Sequence, residues 1–243
     1  CNDTGKGKLA DVQDIVAAID YEFEMEQTLK GKNVLVSAGP TQEALDPVRF
    51  LSNHSSGKQG YAIAKAAKAL GANVTLVAGP TALKDLKDVN MVHVTSAQDM
   101  FDAITSRLDD QNYIIMAAAV ADYRPEMVAD QKIKKSDEEV TFHFVKNPDI
   151  LAYIGQHKKE NQVICGFAME TQNLEENARK KLESKNCDML IANNLFTRGA
   201  GFQTDTNVVT LLRKNETKHL PKCSKEELGY KILETMKEIE MEK

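Results

Sequence analysis

The 243-residue sequence is most restrictive in what it lacks. No apolar run approaches the roughly 18 residues a membrane-spanning helix needs, and no signal peptide is legible at its start. Positive charge is not in excess. The 31 Lys and Arg against 36 Asp and Glu leave a net charge of −5 and a pI near 5.6, which argues against a surface built for nucleic acid. The only cysteines are Cys1, Cys165, Cys187 and Cys223, scattered without CxxC spacing or clustered histidines. Neither a zinc site nor a disulfide framework is expected, and a reduced, cytoplasmic setting is. There is no HExxH and no recognisable Ser/His/Asp or Cys/His spacing, so covalent catalysis and a structural metal are weak options. Methionine is missing from the first position, which Cys1 holds, and the chain is expected to start inside a longer polypeptide.

What is present is an ordinary globular composition, 42% hydrophobic and 28% charged, with a regular alternation of element types. Residues 1–8 read as loop, and 11–29 carries apolar residues at helical spacing, stopped by Gly31. Short continuous apolar runs predict strands at 33–38, 73–78, 91–94, 113–118, 162–168 and 188–192. Helical spacing predicts helices at 58–70, 97–108, 148–158 and 173–185, with a last one over 225–239. Buried strands separated by helices imply an α/β fold, a Rossmann-like, mostly parallel sheet with helices on both faces and ligand at the carboxyl ends of the strands. The runs 140–145 and 207–212 alternate like exposed antiparallel strands and suggest a small β-arm beside that sheet.

The chain is organised around residues 33–60. A strand breaks at Gly39-Pro40-Thr41, and order resumes through Ser55, Ser56, Gly57 and Lys58 at the start of an alanine-rich helix. A helix start offers unpaired N–H groups and a positive dipole end to an anion. Neither standard nucleotide motif applies. Ser52 stands where a Walker A loop needs its first glycine and Gln59 follows Lys58, while GxGxxG is reduced to Gly57 and Gly60. Phosphate binding and an ordinary Ser N-cap are equally open readings of this turn. Asn53 and His54 precede it, each more often a turn or surface residue than a chemical one. The Ala-Gly-Pro-Thr exit of 38–41 recurs at 78–81, either as two similar strand exits or as a shared ligand device.

Three further features bear on binding. In MAAAVADY (116–123) a strand ends in alanines against which a flat ligand could lie. Asp122 follows, where a carboxylate can accept from ribose hydroxyls; a tightly packed strand with a capping Asp is the plainer reading. KIKK (Lys132, Lys134, Lys135) is either a solvated face or a loop able to meet a triphosphate. Lys181 and Lys185 lie four apart on one predicted helix, as helix-solvating lysines often do.

AGPTQEALDPVRFLSNHSSGKQG, AAAVADY, KIKK, VKNPDIL and GFAMET, in this order, resemble the bacterial phosphopantothenoylcysteine synthetase family from about Gly31 to the last helix. CNDTGKGKLADV resembles the end of the flavin-dependent decarboxylase often fused in front of it, in which Cys1 would match the proton donor. The resemblance therefore implies a decarboxylase remnant and linker at 1–30, not active here, and a ligase domain at 31–243. FMN would belong to the missing decarboxylase domain. The implied reaction joins 4′-phosphopantothenate and L-cysteine through an acyl-cytidylate formed from CTP, with Mg²⁺ on the triphosphate. The resemblance carries Asn53 over as the active-site residue. It implies nucleotide contacts at Met116, Ala117, Ala118, Asp122, Lys132, Pro148, Asp149, Ile150, Leu151, Phe167, Lys181 and Lys185. Arg49 and Ser55, Ser56, Gly57 and Lys58 are candidates for the substrate's phosphate or carboxylate. Met169 departs from the family's commoner alanine. A homodimer through the β-arm is also implied. The rival readings are an NAD(P)-dependent oxidoreductase, disfavoured by the missing glycine fingerprint, and a non-catalytic nucleotide-binding module.

Overall fold

The computed structural model describes residues 11–13, 15, 16, 28–135, 139–170, 172–194 and 204–243. Cys1 and most of the helix expected over 11–29 lie outside them; residues 12, 13, 15 and 16 are helical. The elements in chain order are β1 (Asn33–Ala38), β2 (Gln42–Ala44), β3 (Phe50–Ser52), α1 (Lys58–Ala69), β4 (Asn73–Ala78), β5 (Asn90–His93), α2 (Ala97–Thr105), β6 (Tyr113–Met116), β7 (Tyr123–Pro125), β8 (Phe144–Lys146), α3 (Ile150–His157), β9 (Val163–Glu170), α4 (Leu174–Ser184), β10 (Met189–Asn194), β11 (Thr206–Arg213), β12 (Glu216–Ser224) and α5 (Lys225–Met241). No helix among the described residues is long and apolar enough to cross a membrane.

Among the described residues eight strands form one sheet in the order β12-β11-β10-β9-β6-β1-β4-β5, and the six from β5 to β10 are parallel. The chain winds outward from β1 through β4 to β5, then returns to β6 and winds the other way. The order reverses between β1 and β6, and a crevice opens there at the carboxyl ends of the strands. Val34 and Val36 face a core closed by α1 and α5, while Leu35, Ile114 and Ile164 face α2 and α3. Each fully buried side chain of this size is worth about 1.5–3 kcal/mol, and burial on both faces is why these strands read as unbroken apolar runs.

Three expectations about strands are corrected. The 207–212 run is no exposed arm. As β11 it pairs antiparallel with β10 and β12 inside the main sheet, with Val209, Leu211 and Leu212 buried against α4 and α5. Of the 140–145 run only Phe144 and Val145 join a strand, β8, which pairs with β7 as a separate antiparallel ribbon. A second small ribbon, β2–β3, went unread because its strands, QEA and FLS, are three residues each and too short to show a period. The predicted strand over 113–118 stops at Met116, because the following alanines leave the sheet for the exit of β1.

Candidate functional site

The repeated Ala-Gly-Pro-Thr turn is a structural pairing. Ala38 and Ala78 stand in register, Gly79 N–H donates to Ala38 O at 2.9 Å, and 78–81 lines neither cleft described below. The second turn braces the first. Gly57, at φ 78°, is the N-cap of α1, and a Cβ there would come within 2.8 Å of the Thr81 methyl. Glycine is therefore required twice over, by the left-handed backbone and by the contact. The Ser N-cap reading fails, since the N-cap is Gly57, which has no side chain to cap with, and no acid stands in the first turn. The positive end of α1 faces the crevice, where an anion is favoured.

The alanine run is sewn to the exit of β1. Ala118 N–H donates to Ser37 Oγ (3.1 Å), Ala119 N–H to Gly39 O (2.9 Å) and Ala121 N–H to Thr41 Oγ1 (3.0 Å). Asn53 is delivered by the β2–β3 ribbon, and its Nδ2 donates to Ala119 O at 2.9 Å. The ribbon is pinned from below by Ser52 Oγ donating to Thr41 O (2.7 Å) and by buried Glu43, which accepts from the Ala97 N–H at the start of α2 (3.0 Å).

Two clefts meet over this run. The first, about 490 Å³, is lined by Met116, Ala118 and Asp122 from the alanine run, by Pro148, Asp149, Ile150 and Leu151 at the start of α3, and by Phe167, Lys181 and Lys185. The second, about 360 Å³, is lined by Asn53, Ser55, Ser56, Gly57, Lys58, Ala117 and Met169, and by Asn193, Asn207 and Lys225. Ala118, Asp122, Phe167 and Lys181 border both. The chain thus brings together all the expected contacts except Lys132 and Arg49, which line neither cleft. Arg49 is instead bound to Asp46 and to the backbone of Ile133. Cys1 lies outside the described residues.

The first cleft is held by charge. Asp149 is the N-cap of α3, accepting from Ala152 N–H at 2.9 Å, and its Oδ2 pairs with Lys185 Nζ at 2.5 Å. Burial acts to raise its pKa, but the Lys185 hydrogen bond, the Ala152 N–H and the charges of Lys185 and Lys181 outweigh that and hold it below the usual carboxylate range. Lys181 Nζ donates to Phe167 O (3.0 Å), which places its ammonium at the wall between the clefts. Gly155 makes the Asp149–Lys185 approach possible, for a Cβ there would sit 1.8 Å from Lys185 O.

Lys225, Asn193 and Asn207 were not singled out in the sequence. All three are nearly buried, and Lys225 is 6% exposed. Its pKa is lowered, first by burial and then by the charge of Lys58, against the pull of Asp205. Asn193 is the first polar residue of β10 after the apolar run Met189–Ala192, and that break in pattern was the available signal. Cysteine chemistry has no thiolate to draw on among the described residues: burial pushes Cys187 up to about 12 and raises Cys165 and Cys223 as well. No three His, Cys, Asp or Glu side chains gather as a metal cage among the described residues.

A family model, the DNA/pantothenate metabolism flavoprotein C-terminal domain, matches residues 29–239. The coenzyme A biosynthesis bifunctional protein CoaBC of Vibrio vulnificus is 46% identical over 235 residues, covering 96% of this chain and 58% of that protein. The chain therefore spans less than two thirds of this relative. The crystal structure of the C-terminal domain of a CoaBC protein is 44% identical, with a TM-score of 0.74 over 88% of this chain and 97% of that one. A Cab2 variant solved in complex with phosphopantothenate-cysteine has a TM-score of 0.70 over 96% of each chain, and at 17% identity it shows a shared fold alone.

Proposed function

The chain belongs to the DNA/pantothenate metabolism flavoprotein C-terminal domain family, and from that membership we propose that it is a CTP-dependent ligase of coenzyme A biosynthesis, joining 4′-phosphopantothenate to L-cysteine. The observation that carries this reading is the junction of the two clefts at Ala118, Asp122, Phe167 and Lys181. One cleft offers a flat alanine wall and lysines, the other a helix start, two serines and two lysines. A nucleotide triphosphate and a phosphorylated acid can meet there end to end.

The chemistry asked of such a site is activation of a poor acyl donor. A carboxylate oxygen of 4′-phosphopantothenate attacks the α-phosphorus of CTP, and pyrophosphate leaves. The amine of cysteine then attacks the acyl carbon and loses a proton, and CMP departs with the carboxylate oxygen, leaving the amide. Catalysis of this kind is mostly positioning and charge stabilisation. Asp122 is suited to the ribose hydroxyls, and Lys181 and Lys185 to phosphate charge. Lys58, Lys225 and the start of α1 suit the substrate's own phosphate. Asn53 lines the second cleft, and in this reading its carboxamide N–H donates to the acyl oxygen as negative charge develops on it. Mg²⁺ would come with the triphosphate. An ion so carried needs only one or two protein carboxylates, and Asp122 is the carboxylate bordering both clefts. FMN has no part in this reading.

We also propose a homodimer through the two small ribbons. Phe50, Leu51, Met127, Val128, Phe142 and Phe144 are exposed there, Met127 by 83%, and large apolar side chains gathered in one region suit a protein contact. The reading is tested by supplying 4′-phosphopantothenate and cysteine with each nucleoside triphosphate in turn. Amide product with CTP supports it; no product with any nucleotide removes the ligase assignment.

A further inference from the structure

Asp46 lines neither cleft, and its side chain is wholly excluded from solvent. Its Oδ1 accepts from the backbone N–H groups of Val48 and Arg49, both at 2.8 Å. Its Oδ2 accepts from Arg49 Nε at 2.9 Å, from Arg49 Nη2 at 2.5 Å and from the Ile133 N–H at 3.1 Å. Arg49 Nη2 also donates to the Ile133 carbonyl at 2.8 Å. The Ile133 backbone, more than 80 residues away in the chain, is thus gripped at both its donor and its acceptor. A third tie runs from Ala129 N–H to Leu45 O at 3.1 Å. Ile133 is half-buried while Lys132, Lys134 and Lys135 around it are exposed. The loop that makes this grip joins β2 to β3, and β3 ends one residue before Asn53.

We propose that the Asp46–Arg49 pair is a positioning clamp that holds the lysine segment 132–135 for the nucleotide, in fixed relation to the ribbon that delivers Asn53. This rests on the reading of Lys132 as a nucleotide contact. A buried ion pair is by itself weak evidence of stabilisation. Here, however, the guanidinium fork spends a donor on a distant loop carbonyl, and the carboxylate accepts that loop's N–H, which is a geometry for holding place. Arg49 is the main influence on the Asp46 carboxyl. With the three backbone N–H donors it prevails over burial and keeps the group ionised far below the usual carboxylate range.

Asp46→Asn and Arg49→Lys test the clamp, the second leaving Asp46 its turn hydrogen bonds should the first fail to fold. Both variants should raise the KM for CTP by about tenfold or more, the scale of one charge-assisted hydrogen bond. They should also speed tryptic cleavage at residues 132–135 by a similar factor. The KM for cysteine and kcat at saturating CTP should stay within about twofold. Unchanged cleavage, or an equal loss in every kinetic constant alongside a lower Tm, would overturn the clamp. Lys132→Gln separates the two levels of the argument. If it raises the CTP KM while Asp46→Asn and Arg49→Lys do not, the clamp fails and the nucleotide reading stands. If Lys132→Gln changes nothing, the nucleotide reading of the segment fails, and the clamp's purpose with it.

Discussion

Lys185 Nζ lies 2.5 Å from Asp149 Oδ2, so one ion pair ties the end of α4 to the N-cap of α3 across the wall of the first cleft. Asp149 does two jobs there, and they can be separated. Asp149→Ala removes both cap and pair, and the cap alone should cost about 0.5–2 kcal/mol. Asp149→Ser restores the cap and should recover most of that in thermal unfolding. The remaining gap between Asp149→Ser and the parent chain belongs to the pair. Because the folded carboxyl is held below its ordinary value, this gap should be full at pH 7 and close as the pH falls below about 4, through the folded pKa. Half of this side chain is exposed, so the gap should also shrink in high salt.

Lys225→Met should weaken binding of 4′-phosphopantothenate by about tenfold or more, the scale of one charge-assisted contact, and leave CTP affinity nearly unchanged. Calorimetric titration with each ligand checks this. Equal losses for both ligands would mean that Lys225 supports the fold of the second cleft and does not contact substrate.

Asn53→Asp replaces a donor with a second carboxylate near the acyl oxygen. The variant should still form the acyl-cytidylate but turn it over slowly, so that the intermediate accumulates and is detectable by mass spectrometry after acid quench. Loss of one such donor costs roughly 10²–10³ in rate. Normal turnover in Asn53→Asp would take Asn53 out of the mechanism.

The parallel half of the sheet was legible because its strands are buried on both faces. NVLVSA, NVTLVA and YIIM admit little but apolar and small residues. The edge was not legible. ETKHLPKCS, the strand β12, is mostly exposed, alternates weakly and contains Pro221, which an edge strand tolerates. The strand beside it looked exposed because a run of six residues does not say what covers it, and α4 and α5 do. Most of the site could be read from motifs that follow strand ends. Lys225 could not, since it is one lysine among many at the start of a helix and owes its place to the packing of α5 against α1. Arg49 was expected at the substrate's phosphate or carboxylate and not as a partner of Asp46. Charge spacing alone does not reveal that its fork reaches a backbone 84 residues on.

Stepwise activation of the carboxylate by CTP is decided by a rapid-quench experiment without cysteine. With CTP, Mg²⁺ and 4′-phosphopantothenate present, about one equivalent of pyrophosphate per active site should appear, with CMP released only when cysteine is added. Pyrophosphate that never appears without cysteine, or that appears without 4′-phosphopantothenate, would contradict it.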